Sequence, residues 1–149
     1  MTTIAVRDGE VVADTQLTAG NGSRARVRKL IKLDDGSVFA GAGELHAILA
    51  LREWAIAGFA GKRPAKTKDA ECIHCLADGS IRYMGGSGSP YELIDEYLAI
   101  GSGASFAEGA MAHGATALQA LQAAAKHDTG TSGPFQRMRF GPERKTKRK

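Results

Sequence analysis

The residues best suited to chemistry stand at the start of the chain, where a threonine follows the initiator methionine. Methionine in front of a small residue is normally removed, so we expect the mature chain to begin at Thr2. An N-terminal threonine carries a hydroxyl and a free α-amine on one residue, and together these make a nucleophile with its own base. We therefore predict that the rest of the chain forms a frame around Thr2.

Two charged residues farther along have the right chemistry to support such a nucleophile. Asp14 ends the second predicted strand and Lys29 lies in the third. Adjacent antiparallel strands would bring both beside Thr2, where a lysine favours the deprotonated amine and the aspartate holds the lysine. Taken singly, each residue is an ordinary surface charge, so the spacing alone leaves both roles open.

Two glycine-rich segments lie where a strand gives way to a helix. Gly41-Ala42-Gly43 is a place where a backbone N–H can approach a substrate and serve as an oxyanion donor, although a helix entry that needs small residues is an equal alternative. Gly101-Ser102-Gly103 lies at a similar junction. It fits neither the phosphate-binding loop nor the Gly-x-Ser-x-Gly nucleophile turn.

The segment Cys72-Ile73-His74-Cys75 resembles half of a metal site. On a strand, however, Cys72 and His74 face one side and Cys75 the other, which is poor geometry for chelation, and a second ligand pair is missing. His46, His113 and His127 are scattered. We predict that the cysteines pack in the core and that the protein needs no metal or cofactor.

The composition indicates a soluble globular protein: 149 residues, 43% hydrophobic and 24% charged. No apolar run is long enough to span a membrane, and the first residues lack the layout of a secretory signal, so we expect a cytoplasmic protein. The net charge of +4 comes from the C-terminal end, where residues 137–149 hold seven basic residues and one acid. We predict that residues 141–149 are a basic, disordered tail and do not form a nucleic-acid site.

Hydrophobic periodicity predicts strands, one helix, strands, two helices and a last strand, in that order. Turn signals predict hairpins around Asp8-Gly9, Asp34-Asp35-Gly36 and Asp78-Gly79, with a loop over 17–23 and a strand over 27–33. Helical spacing predicts helices over 44–59, 104–112 and 115–126, and residues 91–97 are ambiguous and admit a single helical turn. Strands that cluster in this way predict an α+β fold, an antiparallel sandwich covered by helices.

Six motifs along the chain resemble those of proteasome β-type subunits, and especially of the bacterial HslV-like threonine peptidase. They are Thr2-Thr3-Ile4-Ala5-Val6, residues 12–18 (Val-Ala-Asp-Thr-Gln-Leu-Thr), Val27-Arg28-Lys29-Leu30, Phe39-Ala40-Gly41-Ala42-Gly43, residues 99–107 (Ala-Ile-Gly-Ser-Gly-Ala-Ser-Phe-Ala) and residues 128–133 (Asp-Thr-Gly-Thr-Ser-Gly). The resemblance implies the four-layer α-β-β-α fold of the N-terminal nucleophile hydrolases over one domain, residues 1–140.

The same resemblance implies hydrolysis of peptide bonds through an acyl ester on Thr2. Lys29 would tune the Thr2 amine, Asp14 would pair with Lys29, and the Gly41 N–H would hold the oxyanion. The residues that would position the amine and a water are Ser102, Asp128 and either Thr131 or Ser132, and those that would line the substrate site are Thr18, Ala42 and Gly43. The implied partners are a polypeptide substrate, further copies of the chain in a ring, and a separate ATP-dependent unfoldase.

This chain departs from the family in two respects. It is shorter than the bacterial relative between the oxyanion segment and Gly101, which we interpret as loss of the family's second helix, a helix that packs beside the first and contributes to ring contacts. No propeptide precedes Thr2, so we expect removal of Met1 alone to activate the enzyme. Two alternatives stay open: an amidase of the same superfamily acting on a small amide, and a catalytically silent assembly or binding module of the same fold.

Overall fold

The computed structural model describes residues 1–86 and 88–143, and within them the chain forms two stacked antiparallel sheets with helices on both outer faces. The described strands are β1 (Thr3–Arg7), β2 (Glu10–Ala13), β3 (Gln16–Thr18), β4 (Arg24–Arg26), β5 (Leu30–Lys32), β6 (Val38–Gly43), β7 (Ala70–Cys75), β8 (Ile81–Met84), β9 (Tyr91–Leu93), β10 (Tyr97–Gly101) and β11 (Gln136–Arg139). The described helices are α1 (Leu45–Ile56), α2 (Ala104–Ala112) and α3 (Ala117–His127).

The strands form two main sheets and one small ribbon. The first sheet has the order β10-β1-β2-β11, the second has the order β5-β6-β7-β8-β9, and β3 pairs with β4. Every pairing is antiparallel. Sequence neighbours pair through tight turns, such as the one at Asp8-Gly9, where both residues have positive φ.

Period-two alternation divides the core into three layers. On β1, Ile4 and Val6 face the layer between the sheets, whereas Ala5 faces α2 and α3. On β6, Ala40 lies between the sheets and Phe39 packs under α1. Because successive side chains of a strand point to opposite faces, both sheets are apolar on both sides and need helices on their outer faces.

Side-chain caps set where α1 and α3 begin, and small buried apolar side chains pack the helices against the sheets. The Glu44 side chain caps α1 by accepting from the N–H groups of His46 and Ala47, and Thr116 forms a capping box with Gln119 at the start of α3. Helix α1 covers the second sheet, and α2 with α3 covers the first. The predicted four-layer α-β-β-α sandwich of antiparallel sheets is confirmed.

The expected loss of the second helix agrees with the structure. Between α1 and β7 the chain is described throughout, and residues 57–69 contain no helix. Helix α1 thus covers the outer face of the second sheet alone and leaves a row of exposed apolar side chains, Leu45, Leu49 and Ile56, with 48%, 38% and 56% of their surfaces exposed.

Three local predictions were wrong or too broad. Of the predicted loop 17–23, Leu17 and Thr18 belong to β3, and residues 19–23 form the turn of the β3–β4 ribbon. Of the segment 91–97, which admitted a helical turn, residues 91–93 form the edge strand β9 and Tyr97 begins β10. Tyr91 pairs with Tyr83 of β8, with 5.5 Å between their ring centroids. The strand predicted over 27–33 is shorter in the structure, since only Leu30–Lys32 (β5) pair with β6, and the Lys29 N–H donates to the Gln136 side chain instead.

The cysteines pack as predicted. Cys75 lies between the sheets and Cys72 lies under α1, and burial raises the pKa of each thiol to about 12. No described helix is long and apolar enough to cross a membrane. The predicted tail over 141–149 lies outside the described residues from residue 144 onwards.

Candidate active site

Thr2 immediately precedes β1 and is held from both sides by the backbone. Its carbonyl oxygen accepts a hydrogen bond of 2.8 Å from the Ser102 N–H, which belongs to the turn after β10. The next residue, Thr3, exchanges hydrogen bonds with Asp14: the Thr3 N–H donates to Asp14 Oδ1 at 2.9 Å, and the Asp14 N–H donates to the Thr3 carbonyl. Only 8% of Thr2 is exposed, so its position is set by its neighbours.

Asp14 and Lys29 form an ion pair beside Thr2. The distance between Lys29 Nζ and Asp14 Oδ1 is 2.7 Å, and the two side chains are 8% and 0% exposed. Asp14 Oδ2 also accepts from the Gln16 N–H, so this buried carboxylate is hydrogen-bonded through both oxygens. Burial lowers the pKa of Lys29, and the hydrogen bond and charge of Asp14 oppose that effect.

The Lys29 ammonium also reaches the peptide group in front of Thr2. Its Nζ lies 3.1 Å from the carbonyl oxygen of Met1, whose carbonyl carbon is bonded to the Thr2 nitrogen. Met1 lies close against Gly130, where an added Cβ would come within 2.5 Å of the Met1 Cβ. While Met1 is present, the Thr2 nitrogen is an amide, which is no base.

A chain of hydroxyls and one carboxylate lies on the other side of Thr2. Asp128 Oδ2 accepts from Ser102 Oγ at 2.6 Å and from Thr131 Oγ1 at 2.5 Å. The Thr131 hydroxyl also lies 2.6 Å from the Thr3 hydroxyl. Partial burial raises the pKa of Asp128, but the hydrogen bonds from Ser102, Thr131 and the Gly130 N–H, with the nearby α-amino charge, outweigh it and hold the pKa below its ordinary value.

The structure distinguishes Thr131 from Ser132, which the sequence leaves as alternatives. Thr131 joins Asp128 to Thr3, whereas the Ser132 hydroxyl donates to the Gln16 side chain at 2.6 Å and accepts from Arg26 at 2.7 Å. Ser132 therefore anchors the loop and does not hydrogen-bond to Asp128. Gln16 therefore belongs to the hydrogen bonds around this loop. It lies within the motif over 12–18 but was not among the predicted site residues.

The predicted oxyanion and substrate segments lie around Thr2. Gly41 lies within β6 and Gly43 ends it; a Cβ at Gly43, whose φ is +122°, would collide with the Asp69 carbonyl. Ala42 is buried on the inner side of the strand. Thr18 ends β3 and its hydroxyl accepts from the Gln16 side chain at 2.9 Å.

Two cavities meet at Thr2. We term the first the apolar cavity; it has a volume of about 470 Å³ and is lined on its apolar side by Leu17, Val27, Phe39, Leu45, Ile48 and Leu49. Gly41, Thr18 and Lys29 lie on its wall as well. We term the second the Ser102 cavity; it has a volume of about 560 Å³, and its wall includes Ser102, Gly101, Ala42, Glu71 and Tyr83. Thr2 and Gly43 line both cavities, so an extended chain crossing Thr2 would enter one cavity on each side.

The chain is similar to known proteins in structure but not detectably in sequence. No protein-family model and no curated protein sequence matches the chain significantly. Among solved structures, HslV of the eukaryote Trypanosoma brucei superposes with a TM-score of 0.71 at 23% identity, covering 93% of this chain and 98% of that one. BPH of Thiobacillus denitrificans superposes with a TM-score of 0.67 both in complex with epoxomicin and alone, at 20% and 19% identity, covering 95% of this chain and 99% of that one.

These similarities extend over nearly the whole of both chains. The protein therefore has the fold of the proteasome-like HslV and BPH structures, as the opening motifs predicted. The chain is a shortened form of it, with α1 directly followed by the connection to β7. Identities of 20% and 23% show a shared fold and nothing further.

Proposed function

We propose that the protein is an N-terminal-threonine endopeptidase that becomes active when Met1 is removed. The observation that carries this proposal is the position of Lys29, whose ammonium lies 2.7 Å from the buried Asp14 carboxylate and 3.1 Å from the carbonyl joined to the Thr2 nitrogen. A cation at that point favours the uncharged form of a free Thr2 amine, which is the form that can accept a proton.

The proposed reaction has two halves. In the first, the Thr2 hydroxyl attacks the substrate carbonyl while its proton passes to the Thr2 amine, and the peptide leaves as an amine after taking that proton. In the second, a water hydrolyses the ester on Thr2 with the same amine as base. The Gly41 N–H is the proposed oxyanion donor, and Ser102, Asp128 and Thr131 are proposed to hold the amine and the water through their continuous hydrogen bonds.

The two cavities suggest how a polypeptide lies across the site. Because Gly41 and Lys29 line the apolar cavity, we assign the acyl side of the substrate to it, and its leucine, isoleucine and phenylalanine walls suit an apolar side chain. The leaving side then lies in the Ser102 cavity. Thr18, Ala42 and Gly43 are the proposed backbone contacts at the junction of the two.

The proposal also covers the cellular location, the assembly and the partner of the enzyme. We infer that the protein is cytoplasmic and forms a homo-oligomer. The exposed row Leu45, Leu49 and Ile56 supports the oligomer, because it gives α1 an apolar surface that assembly would cover. A ring-shaped assembly and a separate ATP-dependent unfoldase follow from the resemblance to the HslV-like peptidases. Sedimentation of the purified chain tests the ring-shaped assembly, and stimulation of protein degradation by an unfoldase tests that partner.

The test of the catalytic proposal compares two forms of one chain. One form begins at Thr2, released from a fusion cut directly before that residue, and the other keeps Met1; intact mass establishes which is present. Epoxomicin, the compound bound in the BPH structure, is the probe. We expect an adduct on Thr2 and peptide cleavage only in the form that begins at Thr2, with Thr2→Ser retaining the adduct and Thr2→Ala losing it.

Three outcomes would contradict the proposal: equal labelling when Met1 is kept, labelling of Thr2→Ala, or a folded chain beginning at Thr2 that neither binds epoxomicin covalently nor cleaves peptides. The last outcome would favour the silent assembly module.

A small-amide amidase is a second candidate because residues 57–69 contain no helix, so that α1 is the only described helix that borders the apolar cavity. Monomeric mass combined with turnover of small amides but not of folded-protein fragments would select this candidate.

A further inference from the structure

A carboxylate outside the predicted set lies at the open end of the core beside Thr2. On β7, Ile73 and Cys75 face the apolar layer between the sheets, and period-two alternation gives Glu71 the same face. A charged residue at an inward-facing position is costly unless it is hydrogen-bonded. Glu71 must therefore have partners at this end of the layer.

Its partners connect the second sheet to the turn that holds Thr2. Glu71 Oε1 accepts from the Gly101 N–H at 3.1 Å, and Glu71 Oε2 accepts from the Tyr83 hydroxyl at 2.8 Å. Gly101 belongs to β10 in the first sheet, so this hydrogen bond crosses from one sheet to the other. Burial, followed by the Glu71 interaction, raises the pKa of Tyr83 to about 12, which keeps the phenol a donor near neutral pH.

Gly101 is pressed directly against Thr2. Its φ is +98°, a region that favours glycine, and an added Cβ would collide with the Thr2 carbonyl. The following N–H, from Ser102, is the group that donates to that carbonyl. The conformation of this turn therefore sets the position of Thr2, and Glu71 holds the first N–H of the turn.

We propose that Glu71 is a positioning residue for Thr2, oriented by Tyr83 and acting through the Gly101–Ser102 turn. This inference rests on the proposed function for its kinetic consequence, because a displaced turn moves the Thr2 hydroxyl relative to the substrate carbonyl. Glu71, Tyr83 and Gly101 also line the Ser102 cavity, which the proposed function assigns to the leaving side of the substrate. The test therefore needs a probe without a leaving group, whose binding should be affected less than its reaction rate.

The kinetic test uses chains beginning at Thr2. Epoxomicin serves as the probe because an epoxyketone adds without expelling a leaving group and so does not use the Ser102 cavity for one. For Glu71→Leu we expect the maximal rate of inactivation to fall about 10- to 100-fold, with the half-saturating concentration within about threefold of wild type. Glu71→Gln keeps an acceptor for the Gly101 N–H and should remain within about threefold in rate.

The control and a second variant keep the test decisive. Glu92→Leu changes an exposed carboxylate on β9 of the same sheet and should leave both parameters unchanged. Tyr83→Phe removes the hydroxyl that orients Glu71, and it should lower the rate about two- to fivefold even if Glu71→Leu does not fold. An effect confined to a higher half-saturating concentration, or a maximal rate unaffected in both Glu71→Leu and Tyr83→Phe, would overturn the proposal.

A readout independent of activity separates this inference from the proposed function. Amide hydrogen exchange at Gly101 should be slow in wild type and Glu71→Gln, and at least about tenfold faster in Glu71→Leu, because the acceptor of the Gly101 N–H is lost. Unchanged exchange would overturn the role of Glu71 whatever the kinetics. If wild type fails to react with epoxomicin, the proposed function fails, and faster exchange in Glu71→Leu still supports Glu71 as the residue that holds the turn.

Discussion

Replacement of Lys29 by methionine removes the cation that faces Asp14 and keeps a side chain of similar length. In the wild type, the ammonium and the carboxylate are 2.7 Å apart, and their side chains are 8% and 0% exposed. Removing one partner of a buried pair typically costs about 3–5 kcal/mol, because the other charge stays buried. Asp14 keeps the N–H groups of Thr3 and Gln16 as donors, so we expect the lower end, about 3 kcal/mol.

Urea unfolding measures this loss directly. At matched protein concentration, the free energy of unfolding of Lys29→Met should fall by about 3 kcal/mol, which for a chain of this size lowers the Tm by about 6–12 °C. Lys32→Met, at the end of β5 three residues later and with an exposed side chain, is the matched control and should change the free energy by less than about 0.5 kcal/mol. Peptide cleavage should be lost in Lys29→Met and kept in Lys32→Met.

A double variant tests the physical reason. If the cost comes from an uncompensated carboxylate, Asp14→Asn combined with Lys29→Met should be more stable than Lys29→Met alone, by about 1–2 kcal/mol. A cost below about 1 kcal/mol for Lys29→Met is what an exposed pair would give and would refute the reasoning. Strict additivity of the two substitutions would refute it as well.

Three further predictions concern other parts of the site and core. Gly101→Ala should cost about 2–5 kcal/mol in urea unfolding and abolish cleavage, because its Cβ would collide with the Thr2 carbonyl at a φ of +98°; wild-type stability would contradict this. Since the folded pKa of Asp128 is lowered from 3.8, its stabilisation is complete above that value and is lost as the pH falls through the folded pKa. The stability difference between wild type and Asp128→Asn should therefore be largest near about pH 7 and shrink as the pH falls through the folded pKa, as followed by thermal unfolding, and a constant difference would contradict the linkage. Cys72 and Cys75 have thiol pKa values of about 12 and lie in the core, so a thiol reagent at about pH 8 should modify them only after unfolding, and rapid labelling of the folded chain would contradict their burial.

Much of the fold could be predicted from local pattern. Alternation such as Ile4-Ala5-Val6, turns such as Asp8-Gly9, and a capped helical period after Glu44 each depend on residues close in sequence, and these elements appear where they were expected. The edge strand β9 was mistaken because three exposed or half-buried residues have no period of their own, and their conformation comes from pairing with β8.

The candidate site, too, could be predicted only in part from the sequence. The residue types at Thr2, Asp14 and Lys29 suggested the chemistry in the sequence, whereas their distances depend on the packing of β1, β2 and the segment before β5. The sequence could also have pointed to Glu71, since it breaks the apolar inward row of β7, but its partner Gly101 lies 30 residues away on the other sheet.

By itself, the sequence determined the three helices and the longer strands, which faces of them are apolar, and which residue types are available for a threonine nucleophile. Local hydrogen-bonding and period-two burial are enough for that, because they act over a few residues. Only the tertiary structure decided that Thr131, not Ser132, joins Asp128 to Thr3, and that Glu71 reaches the turn behind Thr2. A hydroxyl or carboxylate finds its partner within about 3 Å, and contacts at that distance between residues 30 to 128 positions apart exist only once the two sheets have packed.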